Sequence, residues 1–380
     1  MNDLENYKAI LEQYFGLGAA TFDTASGVSN NIIGALNRTD FAPFRSVFLK
    51  RCKRLAARYP AADPNRKPLL DRLNEMASVG KWDGVYAEMV AFDFLNSDKD
   101  WLSTPINLSK TVPAAETLAR GLGGQNANFD GYYDDFGVCF DVKVLGDKSR
   151  DILDGIIAEV TKKLGVSGMS VSPEYPLDLG FEEFEFNRKK LQVELEASIN
   201  VGERTSFIKS TVVTELNYRI KWDAGVLTTV STYDPFQHAA NHHTLLFKHA
   251  KKFSRNEPSL IVFVIFPWFS EKVLIPFCSS DVFYRSFSRR FFCQYAKDTK
   301  PANSILRSFQ GTETIAQVTE KLTGVLFLED TSITSSNTDD LNVRGFAYFN
   351  PNAAKKAGRH FREHLSSLGF FVDGFEHDNY

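Results

Sequence analysis

The chain has 380 residues, 43% hydrophobic and 24% charged, with 44 Lys and Arg against 47 Asp and Glu for a formal net charge of −3. That length provides an ample core and room for two or three domains. The near-balanced charge argues against a protein that coats nucleic acid indiscriminately, because such binding needs wholesale phosphate neutralisation. The longest apolar run, Leu260 to Phe269, is broken by Pro267 and is too short to span a bilayer, so no membrane partner is expected. Met1-Asn2-Asp3-Leu4-Glu5 has no basic or apolar leader pattern, and Cys52, Cys139, Cys278 and Cys293 are dispersed. They read as reduced thiols in a cytoplasmic protein.

Residues 1–78 read as helical, interrupted at Pro60-Ala61-Ala62-Asp63-Pro64, and include the basic run from Lys50 to Arg58. The next helix is predicted from Asp83, a good N-cap, to Leu95. At the helical period Glu88 falls among Val85, Met89, Phe92 and Leu95. A carboxylate in an apolar stripe is costly to bury unless it is paired or near a metal. Glu88 is therefore either half-exposed at the end of the core or aimed at a site.

Phe129 to Val144 reads as a hairpin whose turn is supplied by Asp134, Asp135 and Gly137. Val138, Phe140, Val142 and Val144 alternate with Cys139, Asp141 and Lys143, so the two sets occupy opposite faces. A turn centred between Asp135 and Phe136 sets Asp130 opposite Asp141. Two carboxylates and an ammonium then share one patch of sheet. Magnesium takes oxygen ligands, typically one or two carboxylates with waters and phosphate oxygens. Lys143 beside it is suited to orient a water or stabilise charge on phosphorus. The plain alternative is a surface ion pair of modest energy.

Further along, 151–164 is predicted helical and 167–180 is a Pro/Gly/Ser-containing connector. Leu191-Gln192-Val193-Glu194-Leu195-Glu196-Ala197-Ser198-Ile199 alternates and predicts a half-exposed strand, followed by strand-like runs at 205–214 and 216–232. Pro235 to Phe253 reads as a helix capped by Asp234, with His238, His242 and His249 on one side and Lys252 close by. Zinc is disfavoured there, since no cysteine partner or third ligand lies one turn away. Ser259 to Phe266 is apolar throughout, as in a strand buried on both faces. Phe283, Phe287 and Phe291 share one stripe of the next helix, with Arg285 and Arg289 on another. Arginine binds phosphate bidentately, which makes Arg285 and Arg289 candidate phosphate contacts. Strands follow at 324–328 and 344–349, and a terminal helix at about 352–368. No glycine-rich P-loop is present, so ATP hydrolysis is not expected.

Glu88 on a helix, Asp130 on a strand and Asp141-Val142-Lys143 on the next strand resemble the PD-(D/E)XK nuclease superfamily. Phe129 stands where that motif commonly has proline. The resemblance implies a restriction-endonuclease-like α-β-β-β-α-β core, of α/β class with a mixed sheet. It assigns Glu88, Asp130 and Asp141 to a Mg2+ or Mn2+ site and Lys143 to the attacking water. It also draws attention to Gln237, His238, Asn241 and Lys248, on the helix where some relatives line the site with Gln and Lys. The expected organisation is a helical region 1–78, a core from 79–148 and 233–300, a β-containing insertion 149–232, and an α/β extension 301–380.

The resulting expectation is a divalent-metal-dependent DNA endonuclease, in a restriction, anti-phage or mobile-element setting, with RNA the lesser substrate. A homodimer and a regulating partner protein are expectations of the resemblance alone. The competing class is a noncatalytic module that keeps the fold and binds nucleic acid or protein. A hydrolase of small nucleotides is the lesser third.

Overall fold

The computed structural model describes residues 3–23, 31–37, 42–77, 82–98, 100–118, 126–145, 148–166, 169–175, 181–200, 205–222, 236, 239, 243–266, 280–305, 309, 311–333 and 341–375. Among these residues the chain forms two compact units, Met1–Leu145 with Leu246–Tyr380, and Gly146–Leu245. The first is an α/β unit built on a mixed sheet of seven strands.

Helices α1 (Asp3–Phe15), α2 (Asn31–Asn37), α3 (Ala42–Arg58), α4 (Arg66–Glu75) and α5 (Trp82–Leu95) come first. The α3–α4 break falls at the predicted prolines, where Asp63 caps Asn65 N–H at 2.7 Å. Helix α5 starts at Trp82, one residue before the predicted cap, so Asp83 lies in its first turn. Val85, Tyr86, Ala87, Met89, Val90, Ala91, Phe92, Asp93 and Leu95 are all buried along it. A helix apolar on most sides belongs inside a core. Each large apolar side chain so buried contributes about 1.5–3 kcal/mol.

Strands β1 (Asn107–Val112), β2 (Ala127–Tyr133) and β3 (Val138–Val144) form an antiparallel meander. Gly137 turns the hairpin with φ +65°, a left-handed conformation that glycine adopts freely. Gly131 pairs with Phe140, Tyr132 with Cys139 and Tyr133 with Val138, the register predicted from the turn. A Cβ at Gly131 would lie 2.0 Å from the Phe140 ring, so glycine lets that ring cross the strand.

After the second unit the sheet continues with β7 (Ser259–Ile265), parallel to β3, and β8 (Gly324–Asp330), parallel to β7. Strand β9 (Val343–Phe349) runs antiparallel to β8, and β10 (Phe371–Asp373) is parallel to β9. The spatial order is β1-β2-β3-β7-β8-β9-β10.

One sheet face, with Val138, Phe140, Val142, Leu260, Val262, Val264, Leu326 and Leu328, shares a core with α1, α3, α4, α5 and the helix Arg359–Ser367. On the other face Tyr284, from the helix Ser280–Arg289, stacks on Phe327 at 4.2 Å. Phe287 of that helix meets Phe263 edge-on at 6.0 Å. Strand β7 is buried along its whole length, as two covered faces require.

The second unit contains α6 (Lys148–Leu164), β4 (Ser170–Glu174), α7 (Phe181–Phe186), α8 (Arg188–Asn200), β5 (Thr205–Lys209) and β6 (Asn217–Lys221). Its antiparallel sheet has the order β4-β6-β5. The strand predicted at Leu191–Ile199 is instead helix α8. Its alternating apolar series contains Leu191, Leu195 and Ile199, spaced four apart, and these are the residues buried with Phe184 and Tyr218. Val193, which alternation places beside them, is 66% exposed. The period of four outcompeted the period of two because one helical face met a core. Of the predicted helix 235–253, only Phe236, Ala239 and 243–253 are described, with His243–Lys252 a helical segment of 3-10 type.

Candidate active site

Strand β3 sits between β2 and β7, so Asp141 and Lys143 emerge in the middle of the sheet rather than on a surface hairpin. Asp141 is 1% exposed, and the face expected to be wet is covered here. Its Oδ2 lies 2.6 Å from Lys143 Nζ, while Lys252 Nζ contacts Oδ1. Among the described residues Oδ2 nevertheless accepts no hydrogen bond of good geometry. Burial would raise the Asp141 carboxyl, but Lys143 and Lys252 hold it well below the usual carboxylate range.

Asp130 approaches from β2. Its Oδ2 accepts the Val142 backbone N–H at 2.8 Å and lies 3.7 Å from Lys143 Nζ. Burial, with Asp141 and Glu88 close by, pushes its carboxyl up to about 8 against the pull of Lys143 and Lys252. Asp130 and Asp141 flank one ammonium, Lys143 Nζ lying 3.7 Å from Asp130 Oδ2 and 2.6 Å from Asp141 Oδ2. Burial pulls Lys143 down, but Asp141 and Asp130 hold it above its ordinary value.

Glu88 of α5 joins the cluster at a remove. Burial raises its pKa against Arg72, whose Nε donates to Glu88 Oε2. Arg72 Nη2 lies 3.8 Å from Asp130 Oδ1, and Nη1 donates to Ser109 Oγ at 2.7 Å. The Arg72 guanidinium also lies 5.7 Å from the centre of the Phe92 ring. Ser109, in β1, has φ +66°, a left-handed backbone that serine rarely adopts, and it interrupts the β1–β2 pairing opposite Asp130. Such strain persists only where its surroundings hold it, and it collects at functional sites.

Three acids, Glu88, Asp130 and Asp141, thus meet three bases, Arg72, Lys143 and Lys252. A divalent cation suits the Asp130–Asp141 pair, because its charge would relieve the repulsion of two buried carboxyl groups. Two carboxylates suffice for magnesium, which retains waters and takes phosphate oxygens. Among the described residues no group of three or more His, Cys, Asp or Glu is assembled as a metal cage. Glu88 faces Arg72 rather than completing one.

The structure brings Glu88, Asp130, Asp141 and Lys143 together. Gln237, His238 and Asn241 lie outside the described residues, as does the side chain of Lys248. Arg285 does not reach this cluster: it pairs with Asp373 at 2.8 Å and lies over Phe375. Arg289 ends the same helix. His249 sits edge-on to Phe263 and helps to lower Asp141. Within the basic run 50–58, Arg51 is fully buried against Asp330, so it is no surface contact for phosphate.

Sequence reasoning placed Lys252 only beside the histidines and missed Arg72. Both had a signal. Arg72 follows Leu69 by three residues and precedes Met76 by four, on the stripe these buried residues share with Leu73. It is a base in an apolar stripe, as Glu88 is an acid in one. No protein-family model, no curated protein and no solved structure matches this chain.

Proposed function

We propose that this chain is a divalent-metal-dependent phosphodiesterase of restriction-endonuclease-like fold, and that its substrate is DNA. The observation that carries the reading is the placing of Asp130 and Asp141 about one lysine, with Lys143 Nζ 3.7 Å from Asp130 and 2.6 Å from Asp141. The order α5-β1-β2-β3 followed by the parallel β7 supports it.

Asp130 and Asp141 would hold Mg2+ or Mn2+, which supplies polarisation of a phosphoryl oxygen and a more acidic water. Lys143 remains protonated beside the carboxylates, orients the attacking water and stabilises negative charge on the phosphoryl oxygens. Lys252 provides a second ammonium on the same side of Asp141 for the substrate's phosphate. Glu88 accepts from Arg72 and keeps that edge of the site polar and ordered.

The complete internal pairing of the acids also favours a second reading, a noncatalytic module in which salt bridges replace a metal. A cleavage assay separates the two. Supercoiled plasmid, linear duplex, single-stranded DNA and RNA are incubated with Mg2+, Mn2+ or EDTA, with Asp141→Asn as control. Metal-dependent cutting lost in the variant supports the nuclease and identifies the substrate. No cutting, together with no calorimetric Mn2+ binding, supports the noncatalytic module.

A further inference from the structure

Arg72 occupies the ground between Glu88 and Asp130, the two acids that the nuclease resemblance adds to Asp141 at the metal site. Its Nε is on Glu88, its Nη2 is 3.8 Å from Asp130, its Nη1 is on Ser109, and its plane lies near Phe92. Four elements, α4, α5, β1 and β2, therefore converge on one guanidinium. Its side chain is only 16% exposed. Lys143 and Lys252 pair with Asp141 in the same manner and also lie 3.7 and 4.0 Å from Asp130. The cluster sets one basic side chain against each acidic one without any added ion.

We infer that Arg72 is a built-in counter-cation, which neutralises Glu88 and Asp130 in the metal-free protein and which a divalent ion displaces from them on binding. The inference rests on the metal-site reading above. A cation entering between Asp130 and Asp141 adds two positive charges beside a guanidinium already there. Like charges in a low-dielectric site repel strongly, so ion and arginine compete for the same oxygens. Ser109 Oγ and the Phe92 ring, which hold another edge of Arg72, would retain the displaced guanidinium. The left-handed Ser109 backbone is what turns its hydroxyl toward that guanidinium. Arg72 is thus a positioning residue that sets the affinity for metal and protects the acids in its absence.

Calorimetric titration of Mn2+ into the full-length wild type, Arg72→Met, Arg72→Lys and Asp141→Asn tests this. Arg72→Met should bind Mn2+ about tenfold more tightly than wild type, since one competing charge is gone. Arg72→Lys, which keeps the charge, should stay near wild type, and Asp141→Asn should not bind. Equal or weaker binding by Arg72→Met, with binding still lost in Asp141→Asn, would overturn the inference and leave the metal site standing. No Mn2+ binding by wild type or either Arg72 variant would overturn both. A second readout needs no folded Arg72→Met protein. The Arg72 Nε–H resonance of the wild type, assigned by its absence in Arg72→Lys, should shift and broaden on saturation with Mg2+ as its carboxylate bond is lost. An unchanged resonance at saturation likewise overturns the proposal.

Discussion

The backbone N–H of Val142 donates to Asp130 Oδ2 at 2.8 Å, so the hairpin ladder gives way to a side chain next to Asp141. The regular pairs run only to Gly131 and Phe140. Beyond them the Asp130 carboxylate takes the place of a strand carbonyl. This fixes the carboxylate beside Asp141 and Lys143 without requiring a flexible loop, so the acids are preorganised by sheet geometry.

Removing Asp141 and removing Lys143 should have different signatures. Asp141→Asn should abolish metal-dependent cleavage and Mn2+ binding, and should destabilise the fold by about 3 kcal/mol because two ammonium groups lose a buried partner. Lys143→Ala should lower the cleavage rate at least ~100-fold while still binding Mn2+, because the lysine is not a ligand. Cleavage rates, calorimetry and urea unfolding of both variants check this. Unchanged cleavage in both would refute the assigned site.

A second buried ion pair lies within the helical core. Arg51 is fully buried, its Nη2 is 2.9 Å from Asp330 Oδ1 and 3.2 Å from Ser332 Oγ, and its Nε and Nη1 have no hydrogen-bond partner among the described residues. Arg51→Met should cost about 3–5 kcal/mol, because it leaves a buried carboxylate unpaired. Arg51→Met with Asp330→Leu should recover most of that loss, since an apolar pair needs no countercharge. Denaturant midpoints of the three proteins measure the difference.

His364 should make the protein sensitive to acid. It is fully buried against Tyr133, Phe136 and Phe361, and neither ring nitrogen has a hydrogen-bond partner among the described residues. Burial lowers its pKa to about 4, with Asp98 and Asp135 opposing. The unfolded chain, with histidine near 6.5, binds this proton more readily than the folded one. Its contribution is therefore complete above about pH 6.5 and declines as pH falls toward 4, by about 2 kcal/mol after allowance for screening. His364→Phe should lessen the stability lost between pH 7 and pH 4.5 in urea titrations. An identical loss in both proteins would remove His364 as the cause.

The two periods in 191–199 make opposite predictions for a single pair of variants. Leu195 is fully buried and Val193 is 66% exposed, although a strand would put both on one face. Leu195→Lys should destabilise the second unit by about 3 kcal/mol or more through a buried unpaired charge. Val193→Lys should be neutral within about 0.5 kcal/mol. Thermal unfolding of each compares them directly. Equal destabilisation would favour the strand.

Local spacing made part of this protein legible. The alternation from Val138 to Val144 and the turn at Asp134–Gly137 specify β3, its register with β2 and the nearness of Asp130 to Asp141, because a strand's period and a hairpin's turn act over a few residues. The position of Glu88 in an apolar stripe is legible for the same reason. Segment 191–199 was not, since its spacing satisfies both periods and only a packed core selects one.

By itself, the sequence determined the α/β class, the central apolar strand β7 and the acids and lysine of the hairpin. Tertiary structure alone decided that Asp141 is buried on a covered sheet face and that Lys252, 111 residues away, closes on it. It also decided that Arg72 answers Glu88 across four converging elements. The physical reason is that burial and charge pairing depend on distances in space. Residues remote in sequence meet only when helix and sheet faces seek a common core.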